Sequence, residues 1–333
     1  MQKVAVVILN YNGKTFLQQF LPGFLSCTEG HEIIVADNAS TDGSADFIRT
    51  KFPNITLLPL PTNLGFAGGY NEALREIKSD YFAIVNSDID VTPHWITPLV
   101  EFLNMHPAYA ACQPKIKSFH QKTHFEYAGA AGGFIDSLGY PYCRGRIFDL
   151  VEADTGQYDL STDVFWTCGA CMLIRARVFW EAGGFDADFF AHMEEIDLSW
   201  RVQRLGYKLA CLPQSTVYHV GGGTLSKTSP HKTFLNFRNG LTLLAKNLPL
   251  AHFWKIPFRM VMDWLAALKF VIENKPSHSW AILKAHAEFL YLLPKNLKKR
   301  KNFKAPLMPT KIRSIAWAHF VLGKRKYSEL KHQ

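Results

Sequence analysis

The 333-residue sequence predicts an α/β fold: a Rossmann-like, mostly parallel sheet flanked by helices, with a basic amphipathic helical extension at the C-terminal end. Three observations favour this class. Continuous aliphatic runs, typical of strands buried on both faces, alternate with segments of helical periodicity through the first hundred residues. Each run ends in polar residues, at the point where the next segment begins. The last hundred residues combine large apolar side chains with an excess of Lys and Arg.

The alternation can be followed along the chain. Strands are predicted over residues 4–9, 32–36, 55–60 and 81–85, and a helix over residues 16–25 with a kink at Pro22. Shorter helices are expected over residues 44–52 and around residues 73–77. Thr92 is predicted to cap a further helix with Pro93 at its first position. Repeated β-α-β units bring the carboxyl ends of parallel strands to one edge of the sheet, where ligands bind.

The charge is unevenly distributed. Residues 1–230 hold 17 Lys and Arg against 24 Asp and Glu, whereas residues 231–333 hold 20 against four. This asymmetry predicts two regions divided near residue 230, the second of which meets an anionic partner. Large apolar residues among the cations favour an anionic membrane surface over nucleic acid, with the basic cluster at residues 298–301 as an attachment point. The alternative is that the apolar stripe packs on the body and the lysines are solvated.

The chain shows no secretory signal and no apolar run of membrane-spanning length. Six cysteines in a chain of this length do not indicate a disulfide framework, and the pair Cys168 and Cys171 lacks the second pair of a zinc site. Core thiols are the favoured interpretation, which suits a reducing cytoplasm. We therefore expect a cytoplasmic protein that is peripheral on the inner face of the cytoplasmic membrane.

Two carboxylates, Asp88 and Asp90, follow the fourth predicted strand. Hard oxygen ligands at a strand end suit Mg²⁺ or Mn²⁺ shared with a phosphate substrate. His219 precedes a run of three glycines at residues 221–223, so it could supply a third ligand while the glycine amides wrap a diphosphate. A turn at Asp88 and an ordinary structural histidine are the alternatives.

Other polar residues end the remaining strands. Asp37 could accept hydrogen bonds from a nucleobase or ribose, although an Asx-turn would place the same residue there. The glycine-rich loop over residues 63–69 lacks a dinucleotide fingerprint but could let backbone approach a nucleotide at a helix start. Further along, a helix is predicted from about Glu194 to Leu205, with Glu194, Glu195 and Asp197 in its first turn. These acids match the helix dipole, and one of them could accept a proton from an attacking hydroxyl.

Together these segments resemble glycosyltransferase family 2, the inverting GT-A enzymes, and within it the bacterial rhamnosyltransferase-like group. The resemblance runs in order over about residues 3–240. The matching stretches are 6–12 (VVILNYN), 35–44 (VADNASTDGS), 63–71 (NLGFAGGYN), 86–90 (NSDID), 169–175 (GACMLIR), 183–186 (GGFD), 193–198 (MEEIDL) and 219–224 (HVGGGT).

The resemblance implies a role for each candidate residue. The donor would be a nucleoside-diphosphate-sugar, and the acceptor a hydroxyl of a glycan or polyprenyl-linked molecule in cell-surface polysaccharide synthesis. Rhamnose is the sugar that the resemblance suggests. The implied sites are Asn10, Tyr11, Asp37, Asn63, Gly68 and Asp88 for the nucleotide; Asp88, Asp90 and His219 for a divalent cation, Mg²⁺ or Mn²⁺; Glu195, or else Glu194, as the base; and Trp166 and Asp197 for the acceptor.

The implied reaction is a metal-assisted single displacement with inversion of the anomeric centre. The family's base is the second acid of a Glu-Asp pair, and this chain has Glu195 there, which moves the carboxylate by one methylene. Two other functions stay open from the sequence. A sugar nucleotidyltransferase shares the nucleotide-binding layout, although the loop after the first strand has one lysine and no arginine for a triphosphate. A non-catalytic membrane scaffold could retain the fold.

Overall fold

Four parallel strands form one half of a larger mixed sheet in the computed structural model, which describes residues 2–28, 30–221, 229–300 and 312–330. Every residue from Val4 to Ile8 is buried, as the aliphatic run predicts. The strands are, in chain order, β1 (Val4–Asn10), β2 (Glu32–Asp37), β3 (Thr56–Pro59), β4 (Tyr81–Asn86), β5 (Ile89–Val91), β6 (Tyr109–Ser118), β7 (Gly133–Ile135), β8 (Pro141–Cys143), β9 (Arg146–Ile147), β10 (Leu150–Val151), β11 (Thr162–Asp163), β12 (Cys171–Arg175) and β13 (Lys208–His219).

The main sheet has the strand order β11-β13-β6-β12-β4-β1-β2-β3, and β5 pairs separately with β13. Strands β3, β2, β1 and β4 are mutually parallel, which confirms the predicted β-α-β core. β12 runs antiparallel between β4 and β6, and β13 is parallel to β6. The carboxyl ends of β1, β2 and β4 therefore meet at one edge, where Asn10 lies opposite Asp37.

Helices cover both faces of this sheet and form the C-terminal part of the chain. The predicted helix at residues 194–205 is confirmed to within one residue. The helices are α1 (Lys14–Cys27), α2 (Ser44–Lys51), α3 (Gly65–Arg75), α4 (Thr97–Met105), α5 (Ala176–Ala182), α6 (Glu194–Arg204), α7 (Pro230–Asn247), α8 (Lys255–Ile272) and α9 (Pro276–Lys298).

The prediction that Thr92 caps a helix is wrong. The helix α4 begins at Thr97, and the chain before it runs through the short strand β5. The Thr92 hydroxyl instead donates to the Thr216 carbonyl at 2.7 Å, on the neighbouring strand β13. Pairing with a strand that lies more than a hundred residues away overrides the local capping signal, so Asp90 stands within a strand rather than a turn.

A second sheet of four short strands, β10-β9-β8-β7, packs beside the main sheet. It holds the end of the described chain: the Ile315 amide donates to Asp136 at 2.8 Å, and the Tyr327 amide donates to Glu152 at 2.9 Å. The ring of Tyr327 stacks against Phe134 and Tyr142. The basic C-terminal region therefore returns to the body of the protein.

The helix α7 is part of the main core. Its residues Leu241, Leu243 and Leu244 are fully buried within the apolar cluster that includes the central strands. In the described ranges, no helix combines the length and the hydropathy that a crossing of a bilayer requires. All six cysteine thiols are free, and five of them are buried.

Candidate active site

Asn10 and Asp37 form the first part of the site, at the carboxyl ends of β1 and β2. The Asn10 amide donates to Asp37 Oδ1 at 2.9 Å and to Ser40 Oγ at 3.1 Å, and Asp37 Oδ2 accepts from the Ser40 amide. Asn10 has no exposed surface, yet its Oδ1 has no hydrogen-bond partner in the described chain. A buried acceptor without a partner is costly unless a ligand donates to it.

The loop before α3 adjoins this pair. Asn63 Oδ1 accepts from the Asn38 amide at 3.0 Å and from the Gly65 N–H at 2.9 Å, so it holds the start of α3 in place. A Cβ on Gly68 would lie 2.9 Å from the Leu64 Cβ, so this turn of α3 admits only glycine without a shift. Tyr11 follows β1 and is 43% exposed, which leaves its ring available to a ligand.

The second part of the site is a buried ion pair at the end of β4. His219 Nε2 lies 3.1 Å from Asp88 Oδ1, and His219 Nδ1 lies 3.4 Å from Glu126 Oε1. Burial alone would lower the pKa of His219, but the charges of Glu126 and Asp88 outweigh it and raise the pKa to about 10. The same pairing holds the pKa of Asp88 below its ordinary value, against the effect of burial.

Asp90 does not join this ion pair. In the ladder of β5 and β13, Asp90 pairs with Tyr218, whereas His219 pairs with Ile89. Because side chains alternate along a strand, Asp90 and His219 leave the ladder on opposite faces. Asp90 is partly exposed and lies 3.6 Å from the Lys122 ammonium.

These donor types can be tested against a divalent cation. Within the described ranges, no three His, Cys, Asp or Glu side chains form a ready-made metal site. Mg²⁺ is commonly held by one or two carboxylates together with substrate phosphates rather than by an all-protein cage. Two carboxylates two residues apart at a strand end fit that mode. The glycines at 222 and 223, predicted to wrap the diphosphate, lie outside the described residues.

The third part of the site is the acidic pair at the start of α6. The preceding loop turns sharply: Phe190, His192 and Met193 all have positive φ, which residues with a side chain rarely adopt. Asn239 on α7 holds this loop, because its amide donates to the carbonyls of Phe189, Ala191 and His192 at 2.7 to 3.0 Å. The strained turn aims Glu194 and Glu195 inward from the helix start.

The pKa values of Glu194 and Glu195 are both raised by burial. Burial raises the pKa of Glu194 well above the ordinary glutamate value, and the neighbouring Glu195 charge adds to the rise. Burial also raises the pKa of Glu195, to about 7, although backbone N–H groups at the helix start favour its ionised form. Both residues carry an Oε2 without a partner in the described chain. The pKa of Glu195 therefore lies near neutral pH, so Glu195 is an acid that can give up its proton there.

The acidic pair is linked to the end of β4 through the segment at residues 168–170. A Cβ on Gly169 would lie 3.5 Å from the Glu195 Cβ, and the next residue, Ala170, accepts from the Asn86 amide at 2.9 Å. Asn86 is the last residue of β4, two positions before Asp88. Cys168 lies between the acidic groups, since burial and then the charges of Glu195 and Glu126 raise the pKa of its thiol. The structure thus brings Asp88, His219 and Glu195 to one region.

The two residues expected to bind the acceptor are buried. Asp197 has no exposed surface, and its carboxylate is held by Arg201 at 2.8 Å, Lys246 at 2.9 Å and Asn247 at 2.8 Å. Trp166 is 2% exposed and donates from Nε1 to the Phe134 carbonyl at 3.0 Å. Its ring packs so closely on Gly133 that a Cβ there would lie 2.0 Å away.

An open cavity of about 660 Å³ lies between α7 and α9, near the loop before the acidic pair. Its lining includes the rings of His231, Phe234 and Trp280 and the ammonium of Lys284. Burial, followed by the charges of Lys232 and His231, lowers the pKa of His192 to about 4. The charge of His231 on the cavity wall therefore acts on His192 in the loop before the acidic pair.

Sequence reasoning missed three residues of this region. Glu126 and Arg146 are buried acidic and basic groups outside any recognised motif, and Asn239 lies on a helix assigned to the basic extension. Arg146 carries an Nε without a partner in the described chain and stacks 4.7 Å from the Tyr127 ring. An isolated charge or amide in a sequence gives no sign of burial, so only the fold reveals them.

Comparisons with known proteins agree with this geometry. A family model for glycosyl transferase family 2 matches residues 5–183. The N-acetylglucosaminyl-diphospho-decaprenol L-rhamnosyltransferase of Mycobacterium tuberculosis is 24% identical over 280 residues, which cover 79% of this chain and 90% of that protein.

Solved structures show the same fold. GalNAc-T7 with UDP, GalNAc and Mn²⁺ aligns over 94% of this chain and 59% of its own, at 15% identity and a TM-score of 0.59. The mannosyltransferase PcManGT from Pyrobaculum calidifontis, in complex with GDP-Man and Mn²⁺, aligns over 90% of this chain and 88% of its own, at 16% identity and a TM-score of 0.52. These likenesses confirm the predicted GT-A fold.

Proposed function

Because the chain belongs to glycosyl transferase family 2 and is a glycosyltransferase, we propose that it moves a sugar from a nucleoside diphosphate to a hydroxyl acceptor with inversion of the anomeric centre. The observation that carries the proposal is the buried pair Glu194 and Glu195, placed beside the carboxyl end of β4. Carboxylates with raised pKa values in a cleft are typical of acid–base chemistry.

The nucleoside of the donor is assigned to the edge formed by β1 and β2. The unpartnered Asn10 Oδ1 and the Asp37 carboxylate supply hydrogen-bond acceptors for a base or ribose. Tyr11 follows Asn10 in sequence and is exposed, and Asn63 holds the start of α3, on which Gly68 lies. This arrangement supports donor binding without assigning a particular base.

The diphosphate and its Mg²⁺ or Mn²⁺ ion are assigned to Asp88 and Asp90. His219 pairs with Asp88 and lies on the other face of the β5–β13 ladder from Asp90, so it would orient Asp88 rather than coordinate the ion together with Asp90. The bound cation would stabilise the charge that develops on the departing diphosphate. Mn²⁺ in the two solved glycosyltransferases supports the choice of a divalent ion. Asp88 reaches this region through its hydrogen bond from the Gly221 amide at 3.3 Å, at the start of the glycine run.

Glu195 is assigned as the base that takes the proton of the attacking hydroxyl. A general base is most efficient when its pKa lies near the working pH, and the pKa of Glu195, about 7, meets this condition at neutral pH. Burial raises the pKa of Glu194 as well, which favours its protonated form as a hydrogen-bond donor next to Glu195. The attacking oxygen then displaces the diphosphate from the anomeric carbon in a single step. The two acids at the start of α6 have separate roles, since Glu195 accepts the proton and Glu194 donates a hydrogen bond.

The acceptor is assigned to the cavity between α7 and α9. Its aromatic rings and the Lys284 ammonium suit an amphiphilic acceptor with a diphosphate, which is the class named for the mycobacterial relative. That relative also supports rhamnose as the sugar and cell-surface polysaccharide synthesis as the process. Trp166 and Asp197 are proposed to act on the acceptor side by supporting β7 and α6 from within the core.

A lipid-linked acceptor lies at a membrane, so we propose a cytoplasmic protein that is peripheral on the inner face of the cytoplasmic membrane. The region from residue 231 to 333, with its 20 Lys and Arg, would meet the anionic surface. The division near residue 230 is proposed as one of function, since α7 contributes Leu241 and Asn239 to the core and the site.

A thermal-shift screen of nucleoside diphosphates and nucleotide sugars, with and without Mn²⁺, tests the proposal directly. Ligand binding to the folded state raises the melting temperature, and we expect a shift with one nucleotide that Mn²⁺ enlarges. Asp90→Ala should abolish the Mn²⁺-dependent part of the shift together with sugar transfer. Asp46→Ala, which removes an exposed acid on α2, is the control. Full transfer by Asp90→Ala would contradict the metal assignment.

A further inference from the structure

The helix α8 carries an apolar stripe on its solvent side. Six large residues follow one another at spacings of four and three, which places them on one side of a helix. Their side chains are between 49% and 74% exposed. The stripe consists of Trp254, immediately before the helix, and Phe258, Val261, Leu265, Leu268 and Ile272.

The opposite side of α8 is charged, although it faces the protein. Arg259 Nε donates to Asp263 Oδ1 at 2.8 Å, and the Tyr140 hydroxyl donates to the same oxygen at 2.8 Å. Both charged residues are at most 3% exposed, and the guanidinium also lies 3.4 Å from the Tyr140 ring centroid. An amphipathic helix of a globular protein normally has the reverse arrangement. The buried ion pair fixes the rotation of α8 and keeps the apolar stripe outward.

A second apolar segment lies beside the stripe. Lys269 on α8 places its ammonium 5.1 Å from the ring centroid of Phe320. Trp317, Phe320, Val321 and Leu322 are each 50% to 58% exposed. The stripe on α8 and these residues at 317–322, together called the apolar face, form a surface wider than one helix.

Cations border the apolar face. Lys255 and Lys269 flank the stripe, and Arg325 and Lys326 follow the second segment and are exposed. By contrast, the basic cluster expected to attract lipid is partly engaged within the protein. Lys299 pairs with Asp186 and with Asp188, the latter at 2.6 Å. Cations therefore also border the apolar face, where the Lys269 ammonium lies 3.6 Å from the Glu273 carboxylate.

We propose that the apolar face is the surface by which the protein lies in the headgroup layer of an anionic membrane. An apolar strip rimmed by Lys and Arg and rich in Trp and Phe is typical of helices that lie in the bilayer interface. A second copy of the chain would bring the same cationic rim against itself, which disfavours it as the occupant. The inference deepens the proposed function, on which it rests for the expectation of a lipid-linked acceptor.

Flotation of the full chain with vesicles tests the inference. We expect binding to vesicles of phosphatidylglycerol and phosphatidylcholine, and little binding to phosphatidylcholine alone. Leu265→Glu and Leu268→Glu should each weaken binding at least tenfold, because each removes a leucine from the apolar contact and adds a repelled charge. Leu160→Glu makes the same change at a leucine of the body that is 81% exposed, and it should bind as the unmodified chain does.

Two results would overturn the inference. One is binding by Leu265→Glu and Leu268→Glu equal to that of the unmodified chain. The other is a dimer of the unmodified chain in analytical ultracentrifugation, with both variants sedimenting as monomers. The apolar face would then be the contact between two copies of the chain. Calorimetry with nucleoside diphosphates on the same proteins separates this outcome from failure of the proposed function. Loss of vesicle binding with unchanged nucleotide affinity supports the inference, whereas absent nucleotide binding in the unmodified chain argues against the proposed function alone.

Discussion

Replacement of Glu195 by Gln removes the proposed base while keeping the size of the side chain. With the pKa of Glu195 at about 7, about 9% of the carboxylate is ionised at pH 6 and about 91% at pH 8, so kcat/KM should rise about tenfold over this interval. The variant should lose this pH dependence and about 10²- to 10⁴-fold in kcat, the usual contribution of a general base. The affinity for the nucleotide should change little.

The same substitution should stabilise the protein above neutral pH. The pKa of Glu195 rises from 4.5 to about 7 on folding, so between these values the folded chain holds a proton that the unfolded chain has lost. Stability therefore falls as the pH rises through this window. At about 1.4 kcal/mol for each pKa unit, the ionised carboxylate costs about 3 kcal/mol of folding free energy at pH 8. Gln carries no charge, so Glu195→Gln should melt several degrees higher at pH 8 and at nearly the same temperature at pH 4.5.

Glu194→Gln is the matched control for both measurements. Burial favours the neutral form of Glu194, which Gln resembles in charge and size, so we expect transfer within a few-fold of the unmodified enzyme. A radiolabelled-sugar transfer assay from pH 5.5 to 8.5 and thermal melts over the same range provide the data. Near-normal transfer by Glu195→Gln, or a greater loss in Glu194→Gln, would refute the assignment of the base.

Three further changes test other parts of the site. Gly13→Ala should weaken nucleoside diphosphate binding at least tenfold in calorimetry, because the new Cβ would lie 2.5 Å from Asn10 Oδ1, whereas Gly23→Ala, with nothing within 4 Å, should bind normally. Asn239→Ala leaves the carbonyls of the strained loop before α6 without their donor, so it should lower kcat more than it raises the donor KM and cost about 1–3 kcal/mol of stability in denaturant melts. Asn236→Ala, also on α7, should change neither kcat nor stability. Effects equal to those of Asn239→Ala would contradict the positioning role of Asn239. Trp280→Ala should raise the acceptor KM in steady-state kinetics and leave the donor KM unchanged. A change in the donor KM alone would contradict the assignment of the acceptor to the cavity.

The sequence was most informative where local pattern and tertiary environment agree. The aliphatic runs at β1, β2 and β4 predict strands buried on both faces, and the structure confirms them. The wrong helix start at Thr92 shows the opposite case, because the partner strand β13 lies more than a hundred residues away. The metal trio shows it again: spacing suggested that Asp88, Asp90 and His219 act together, whereas the strand register separates Asp90 from His219.

Hydrophobic periodicity and strand-end polar residues by themselves determined the α/β class and the edge of the sheet that carries the nucleotide candidates, while the ordered motifs carried the resemblance to the family. These features are local, because alternation of buried and exposed positions is a property of a single strand or helix. Burial, by contrast, depends on which distant segments pack together. Only the tertiary structure decided that burial raises the pKa values of Glu194 and Glu195, that Asp197 and Trp166 lie in the core, and that α8 turns its apolar stripe outward. Each of these outcomes depends on burial away from solvent or on a charged partner from a distant segment. Spacing along the chain reveals neither the burial nor the partner.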